Sequence, residues 1–346
     1  MLTRKSLLFS RLDDFLKVFD DLNETRSVSM TEDVRTNVRE KLEGDVLAAD
    51  LQLSLFAAAL LSYRHDTVLR PFPPGFARQN DEKDFPALKS VWKGLSGVKE
   101  LLQDSRVTSD AQTLQLVHWV LETRNFHLRS CEPAEYKEVQ RLTGYTSTNI
   151  PPPSHMFEVV HSESTDARFE ETRQDRSLFY AFHGSRLDNF HSILHNGLHA
   201  HLNKNSLFGE GTYLSGDLGV SIIYSHKGQG WDRSMLGETM SCVAVCEVIM
   251  DPKYVKSKVE EENGRAKNKD KHEVPEKYYI VSNNELLRVK YVLVYAERKA
   301  RPRVQAPSFF QRHKFFILMT LYVIVLAVIG AANSPNLQYY LRKFFR

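Results

Sequence analysis

The hydrophobic period of this chain changes once, at Ser147-Thr-Asn-Ile-Pro-Pro-Pro-Ser154, and that change limits the fold more than any other feature. Successive prolines favour an extended, stiff spacer. Before them, apolar residues recur at helical spacing. Leu47, Leu51, Leu55 and Ala58 form one stripe, which Pro71, Pro73, Pro74 and Gly75 end. Asp84 can cap a second helix with Pro86 in its first turn, and Leu88, Val91, Trp92, Leu95, Val98 and Leu102 form its stripe. Leu114, Val117, Val120 and Leu121 mark a third helix. Residues 133–142 mark a fourth, with Gly144 as its stop. After the prolines the period moves towards two, and residues 156–160, 177–182, 241–249, 278–281 and 289–295 read as strands. The expectation is an α+β chain: an accessory extension over 1–29, an all-α domain over 30–146, a proline-rich linker over 147–154 and a β-rich domain over 155–297. Met30 opens a second plausible start, Met-Thr-Glu-Asp.

The C-terminal end follows a different rule. Residues 315–332 are 18 positions without a charge. As a helix they extend about 27 Å, close to the hydrocarbon core of a bilayer. A core helix of a soluble domain would usually keep a polar face. A transmembrane helix is therefore expected, with a basic spacer over 298–314 and a short lumenal tail over 333–346. Only 14 residues follow Ala332, so insertion would come after synthesis, as for a tail anchor. Arg298, Lys299, Arg301, Arg303, Arg312 and Lys314 precede the span, against Arg342, Lys343 and Arg346 after it. That asymmetry predicts a cytosolic large domain.

Composition adds mainly exclusions. With 46 basic and 43 acidic residues, the net charge of +3 gives no argument for a nucleic-acid partner. Cys131, Cys242 and Cys246 have no spacing of a disulfide framework, which suits a reducing, cytosolic environment. Cys242, Ala244 and Cys246 would share one sheet face as small buried hydrophobes. No secretory signal is visible, because the apolar run at 7–9 is too short and Asp13 and Asp14 follow it. Residues 251–277 hold eight Lys or Arg and seven Asp or Glu. They read most simply as a solvated loop between strands, and they also offer acceptors for self-modification.

The chemistry lies in three pieces. Ala181-Phe-His-Gly-Ser-Arg186 ends a hydrophobic strand in polar residues, and Gly184 lets a ligand approach the backbone. Leu207-Phe-Gly-Glu-Gly-Thr-Tyr-Leu214 leads through glycines into Tyr213, and Ser221-Ile-Ile-Tyr224 follows. Tyr213 and Tyr224 can come from a strand and the next helix and stack on a planar heterocycle. His191 and His195 stand four apart on the helix that Asp188 can cap and Gly197 can end, with His199 and His201 nearby. No Glu or Cys stands beside them at zinc-motif spacing, so no metal is expected. Neither a Walker loop nor a Rossmann glycine fingerprint is present in the sequence.

Together these pieces resemble the catalytic domain of the diphtheria-toxin-like ADP-ribosyltransferases, the poly(ADP-ribose) polymerase family, over roughly residues 155–297. With the helical domain and the C-terminal span, the chain is similar to the tail-anchored, endoplasmic-reticulum mono-ADP-ribosyltransferase type within that family. The resemblance implies a mixed β-sheet around an NAD cleft, with NAD as co-substrate. It implies a glycosyltransferase reaction on protein acceptors, the chain itself included, with an address at the endoplasmic reticulum and nuclear envelope and a place in membrane-associated stress signalling. It also implies residue roles. His183 bonds the adenosine ribose, the Gly184 backbone and the Ser221 hydroxyl hold the carboxamide, Tyr213 and Tyr224 sandwich the nicotinamide, Ser185 contacts a ribose hydroxyl, and residues 200–208 flank the pyrophosphate and adenosine. His183 and Tyr213 match two parts of the family's His-Tyr-Glu signature; the third position falls on Tyr278. A carboxylate there would stabilise oxocarbenium charge and activate an acceptor hydroxyl. A phenol is largely neutral at pH 7 and a poor base. The expectation is single transfer to acidic or lysine side chains without elongation. Two alternatives stay open: a catalytically inactive NAD or ADP-ribose-binding scaffold in the membrane, and a tail-anchored adaptor acting through its helices.

Overall fold

The computed structural model describes residues 32–103, 110–199, 209–257, 277–297, 313–333 and 343. The expectations made for the N-terminal extension, the 200–208 loop, His201, most of the charged 251–277 loop, the basic spacer and nearly all of the C-terminal tail fall outside these residues. Residues Met1–Arg298 form one compact unit and Lys299–Arg346 a second.

The first unit begins with helices α1 (Glu32–Gly44), α2 (Val46–Leu61), α3 (His65–Val68), α4 (Phe85–Gly94), α5 (Val98–Gln103) and α6 (Ala111–Leu121). The cap expected at Asp84 is present, accepting from the Ala87 N–H in the first turn of α4. Asp45 and Asp110, which the sequence reading did not single out, cap α2 and α6 in the same way. The single long stripe from Leu88 to Leu102 is two helices instead, because α4 stops at Gly94 and a new helix starts at Val98. α2 has no polar face. Leu51, Leu55 and Ala58 join the core under the sheet, while Leu53, Phe56, Ala57 and Leu60 join the core of the helices. A helix packed on both sides has no solvent stripe to keep polar.

The strands are β1 (Phe126–Ser130), β2 (His155–His161), β3 (Leu178–Gly184), β4 (Thr212–Ser215), β5 (Gly228–Gln229), β6 (Thr239–Ile249), β7 (Val255–Lys256), β8 (Tyr278–Val281) and β9 (Leu287–Glu297). They form one sheet in the order β1-β2-β9-β6-β3-β4-β8-β7, with β5 beside β6. Every pairing among the described strands is antiparallel, where the family resemblance implied a mixed sheet. The remaining helices of this unit are α7 (Tyr136–Thr143), α8 (Glu163–Arg173), α9 (Phe190–Asn196) and α10 (Leu218–Tyr224).

The stretch read as all-α therefore contains a strand. Phe126 and Leu128 of β1 are buried and His127 and Arg129 point outward, and β1 pairs along its length with β2. The period-two signal was present but only five residues long, too short to stand out between two helices. α7 ends as expected at Gly144, whose φ is +65°, and it packs on β3. The proline-rich segment is not a free spacer. Ile150 packs against the core on that face, and Ser154 exchanges hydrogen bonds with the backbone of Ala296. Cys242, Ala244 and Cys246 do share one face of β6, in the core under the sheet, and burial pushes both thiols far up.

The second unit contains helix α11 (Lys314–Ala332), whose side chains from 314 to 330 are exposed. Its apolar part is Lys314–Gly330, and no single helix among the described residues is long and apolar enough to cross a membrane.

Candidate active site

β3 and β4 are paired at one register position only, Phe182 opposite Ser215. Beyond it the two strands part, and His183 and Gly184 lie on the open side. The His183 side chain spans the gap: Nδ1 lies 2.9 Å from the carbonyl oxygen of Tyr213. A carbonyl only accepts, so Nδ1 carries the proton and Nε2 is left as an acceptor. Burial holds the His183 pKa below its ordinary value, so the ring is neutral at pH 7. Two motifs that are 30 residues apart are thus joined by one hydrogen bond.

Gly184 is required by the protein itself. A Cβ there would lie 1.8 Å from the Ser221 carbonyl oxygen. On the side where a side chain would point, the space is already filled by the backbone of α10. α10 packs on both β3 and β4, and buried Ser221 donates its hydroxyl to the Phe182 carbonyl at 3.1 Å. The lone pairs of Ser221 Oγ therefore remain available to a donor such as an amide N–H.

Tyr213 sits on β4, and its hydroxyl donates to the Gly209 carbonyl at 2.7 Å. Tyr224 ends α10 and is 54% exposed. Tyr278 opens β8 opposite Ser215, so Phe182, Ser215 and Tyr278 lie in one line across the sheet. Burial, and then the hydrogen-bonded phenol of Tyr224, raise the Tyr278 pKa. Tyr278 is therefore a neutral phenol at pH 7. Ser185 follows directly after β3, and its Oγ accepts from Asn189 Nδ2 at 2.9 Å. All seven side chains or glycines picked from the sequence thus lie on β3, its following loop, β4, α10 and the start of β8. The arrangement offers a neutral imidazole acceptor, a buried hydroxyl and aromatic faces, which suit a heteroaromatic amide with ribose hydroxyls. None of these seven residues supplies a carboxylate.

Sequence reasoning missed what stands behind Ser185. Asp188 does not cap a helix through its side chain; it is buried and takes bonds from Ser62, Arg64 and Arg186. Asn189 holds the cap position of α9 without a side-chain cap bond. No local signal points to Arg64, which is 124 residues away from Asp188. The histidines of α9 are also structural. His191 Nε2 bonds the Pro71 carbonyl at 3.2 Å, and its ring lies 4.6 Å from that of His195. His199 Nδ1 lies 3.2 Å from Asn284 Nδ2. Among the described residues no group of three or more His, Cys, Asp or Glu is placed to hold a metal ion.

Residues 133–297 match the poly(ADP-ribose) polymerase catalytic domain, and residues 40–121 match the ARTD15 N-terminal domain. Protein mono-ADP-ribosyltransferase PARP16 of Mus musculus is 48% identical over 313 residues, which is 88% of this chain and 97% of that protein. The chain belongs to the poly(ADP-ribose) polymerase family. The human PARP16 protein is 45% identical over 87% of this chain and 95% of its own length. Mouse PARP8, also named a protein mono-ADP-ribosyltransferase, is 23% identical over 63% of this chain and 30% of its own. As a poly(ADP-ribose) polymerase family member, this protein is an ADP-ribosyltransferase with NAD as substrate. β1 lies between the two matched segments, so the family's helical and catalytic parts meet at the strand that periodicity did not separate from its neighbours.

Proposed function

We propose that this enzyme transfers single ADP-ribose units from NAD⁺ to protein side chains, its own included. In the transfer, the bond between nicotinamide nitrogen and ribose C1 breaks, and nicotinamide leaves with the electron pair. A side-chain oxygen or nitrogen of the acceptor then bonds to C1. His183 Nε2 accepts a hydrogen bond from the adenosine ribose. The Gly184 backbone and Ser221 Oγ hold the carboxamide, Tyr213 and Tyr224 flank the nicotinamide ring, and Ser185 donates to a ribose oxygen. With little proton transfer to perform, catalysis rests on positioning.

Tyr278 is the observation that carries single transfer. Elongation needs an acceptor ribose hydroxyl made nucleophilic by a nearby base. Tyr278, its pKa raised by burial and by Tyr224, offers a protonated phenol. Carboxylates are already ionised at neutral pH and need no base, so Asp and Glu are the first expected acceptors and Lys the second. Incubation with labelled NAD⁺, followed by mass spectrometry, should find one ADP-ribose per modified residue. Tyr278→Glu alone should still form no long chains, because an acceptor-side loop must also hold an ADP-ribose end. Polymer ladders from the unmodified enzyme would overturn single transfer.

The same proposal includes an anchor. Residues 315–332 would hold the chain in the endoplasmic reticulum and nuclear envelope with the catalytic part in the cytosol. The uncharged run, its exposed apolar side chains and the basic bias upstream support this. The family resemblance alone supports the specific membrane and a place in stress signalling. Ending the chain near Arg301 should release the protein from alkali-washed membranes; retention there would remove the anchor from 315–332.

A further inference from the structure

The loop that carries Ser185 is held from the helical part of the chain. Ser62, just past the end of α2, donates Oγ to Asp188 Oδ2 at 2.7 Å. Arg64 donates from Nη2 to both Asp188 oxygens at 3.2 Å and to Asn189 Oδ1 at 3.0 Å. Asn189 then donates from Nδ2 to Ser185 Oγ at 2.9 Å. A guanidinium has donors and no acceptor, so it decides which way round the Asn189 amide sits. The oxygen must face Arg64, and the NH₂ must face Ser185. Ser185 Oγ is thereby an acceptor towards Asn189 and keeps its own proton for another oxygen. Without the guanidinium the amide can turn over, and its oxygen would take the Ser185 proton. The arrangement is not the one stability alone favours, because Arg64 Nε is buried without a partner.

We infer that Arg64 is a positioning residue for NAD: acting through Asn189, it sets the Ser185 hydroxyl as a donor to a ribose oxygen. This rests on the NAD cleft proposed above. The turn between α2 and α3, far from Ser185 in sequence, would then tune substrate affinity without touching substrate.

The test measures kcat and KM for NAD⁺ by nicotinamide release from the full-length protein in detergent. Arg64→Met should raise KM about three- to tenfold, the value of one hydrogen bond, with kcat within about twofold. Arg64→Lys keeps a charge beside Asp188, so it preserves the fold, but its ammonium is one atom shorter and does not serve both Asp188 and Asn189. It should raise KM about threefold or more. In a Ser185→Ala background neither change should raise KM further. Equal KM increases with and without Ser185, an unchanged KM in the Lys variant, or no effect of Ser185→Ala alone would each overturn the inference. His183→Ala separates the two levels. If it weakens NAD use while the Arg64 variants do not, the positioning role fails and the cleft survives. If it leaves NAD use unchanged, the cleft assignment fails and the positioning role with it.

Discussion

A methyl group at Gly184 would meet the Ser221 carbonyl oxygen at 1.8 Å, and the consequence reaches beyond one contact. Relief requires α10 to move away from β3. That movement takes with it the Ser221 hydroxyl and the Tyr224 ring. Gly184→Ala should therefore cost about 1–3 kcal/mol of stability, as overpacking does, and should raise KM for NAD⁺ more than tenfold. Thermal melting and nicotinamide release check the two parts. A variant with unaltered melting and unaltered KM would show that α10 does not depend on this contact. Legibility at this scale was uneven. The sequence marked Gly184 as a close approach, but the packing of the Ser221 carbonyl against it was not visible there. His183 was visible as a strand-end residue, whereas its bond to the Tyr213 carbonyl was not.

At the scale of elements, α9 carries two adjacent titratable rings, His191 buried and His195 half-buried. His191 lies 5.5 Å from the Phe56 ring, and His195 lies 5.2 Å from that of Phe126. Burial, and for His191 the neighbouring His195, push the two pKa values down from 6.5 to about 3 and about 4. Their unfolded-state values stay near 6.5, so the unfolded chain binds more protons in between. Stability is then present above about pH 6.5 and is lost as pH falls towards 4, by roughly 1.4 kcal/mol per pH unit for each fully shifted ring. Urea unfolding at pH 7 and pH 5 should show a marked drop in the midpoint, and His195→Phe should make that drop smaller. Equal pH dependence in both proteins would assign the acid sensitivity elsewhere. Periodicity identified α9 and its caps only in part. The Asp188 side chain, which local reasoning made a cap, is engaged by Ser62 and by Arg64 beyond α2.

For the whole molecule, α2 is the common wall of both cores. Its buried Asp50 accepts from Ser234 Oγ and from the N–H groups of Met235 and Leu236, so it also orders the chain just before β6. Asp45, its cap, accepts from the N–H of Ser130 on β1 at 2.6 Å. Each large apolar side chain of α2 that faces the sheet is worth about 1.5–3 kcal/mol of burial. The sheet-facing set is a large share of the roughly 5–15 kcal/mol that a domain has in hand. A chain comprising residues 122–297 should therefore lack a cooperative thermal transition, whereas the full protein should show one. A sharp melt of the shorter chain would make the helical part dispensable.

The helical character before the prolines, the β-rich character after them, the cap at Asp84, the stop at Gly144 and the motif residues that meet on β3, β4, α10 and β8 were legible in the linear chain. Periodicity, capping and short polar runs are local properties, set within a few residues, and they survive without knowledge of the fold. The strand at Phe126–Ser130 was lost because five residues carry too little period to outweigh the helices beside them. The sharing of α2 between two cores, the gap between β3 and β4 that His183 spans, and the Arg64–Asn189–Ser185 relay were decided only in three dimensions. Each depends on residues separated by long stretches of chain, and their meeting is settled by which buried surfaces and polar groups find partners once the sheet has formed.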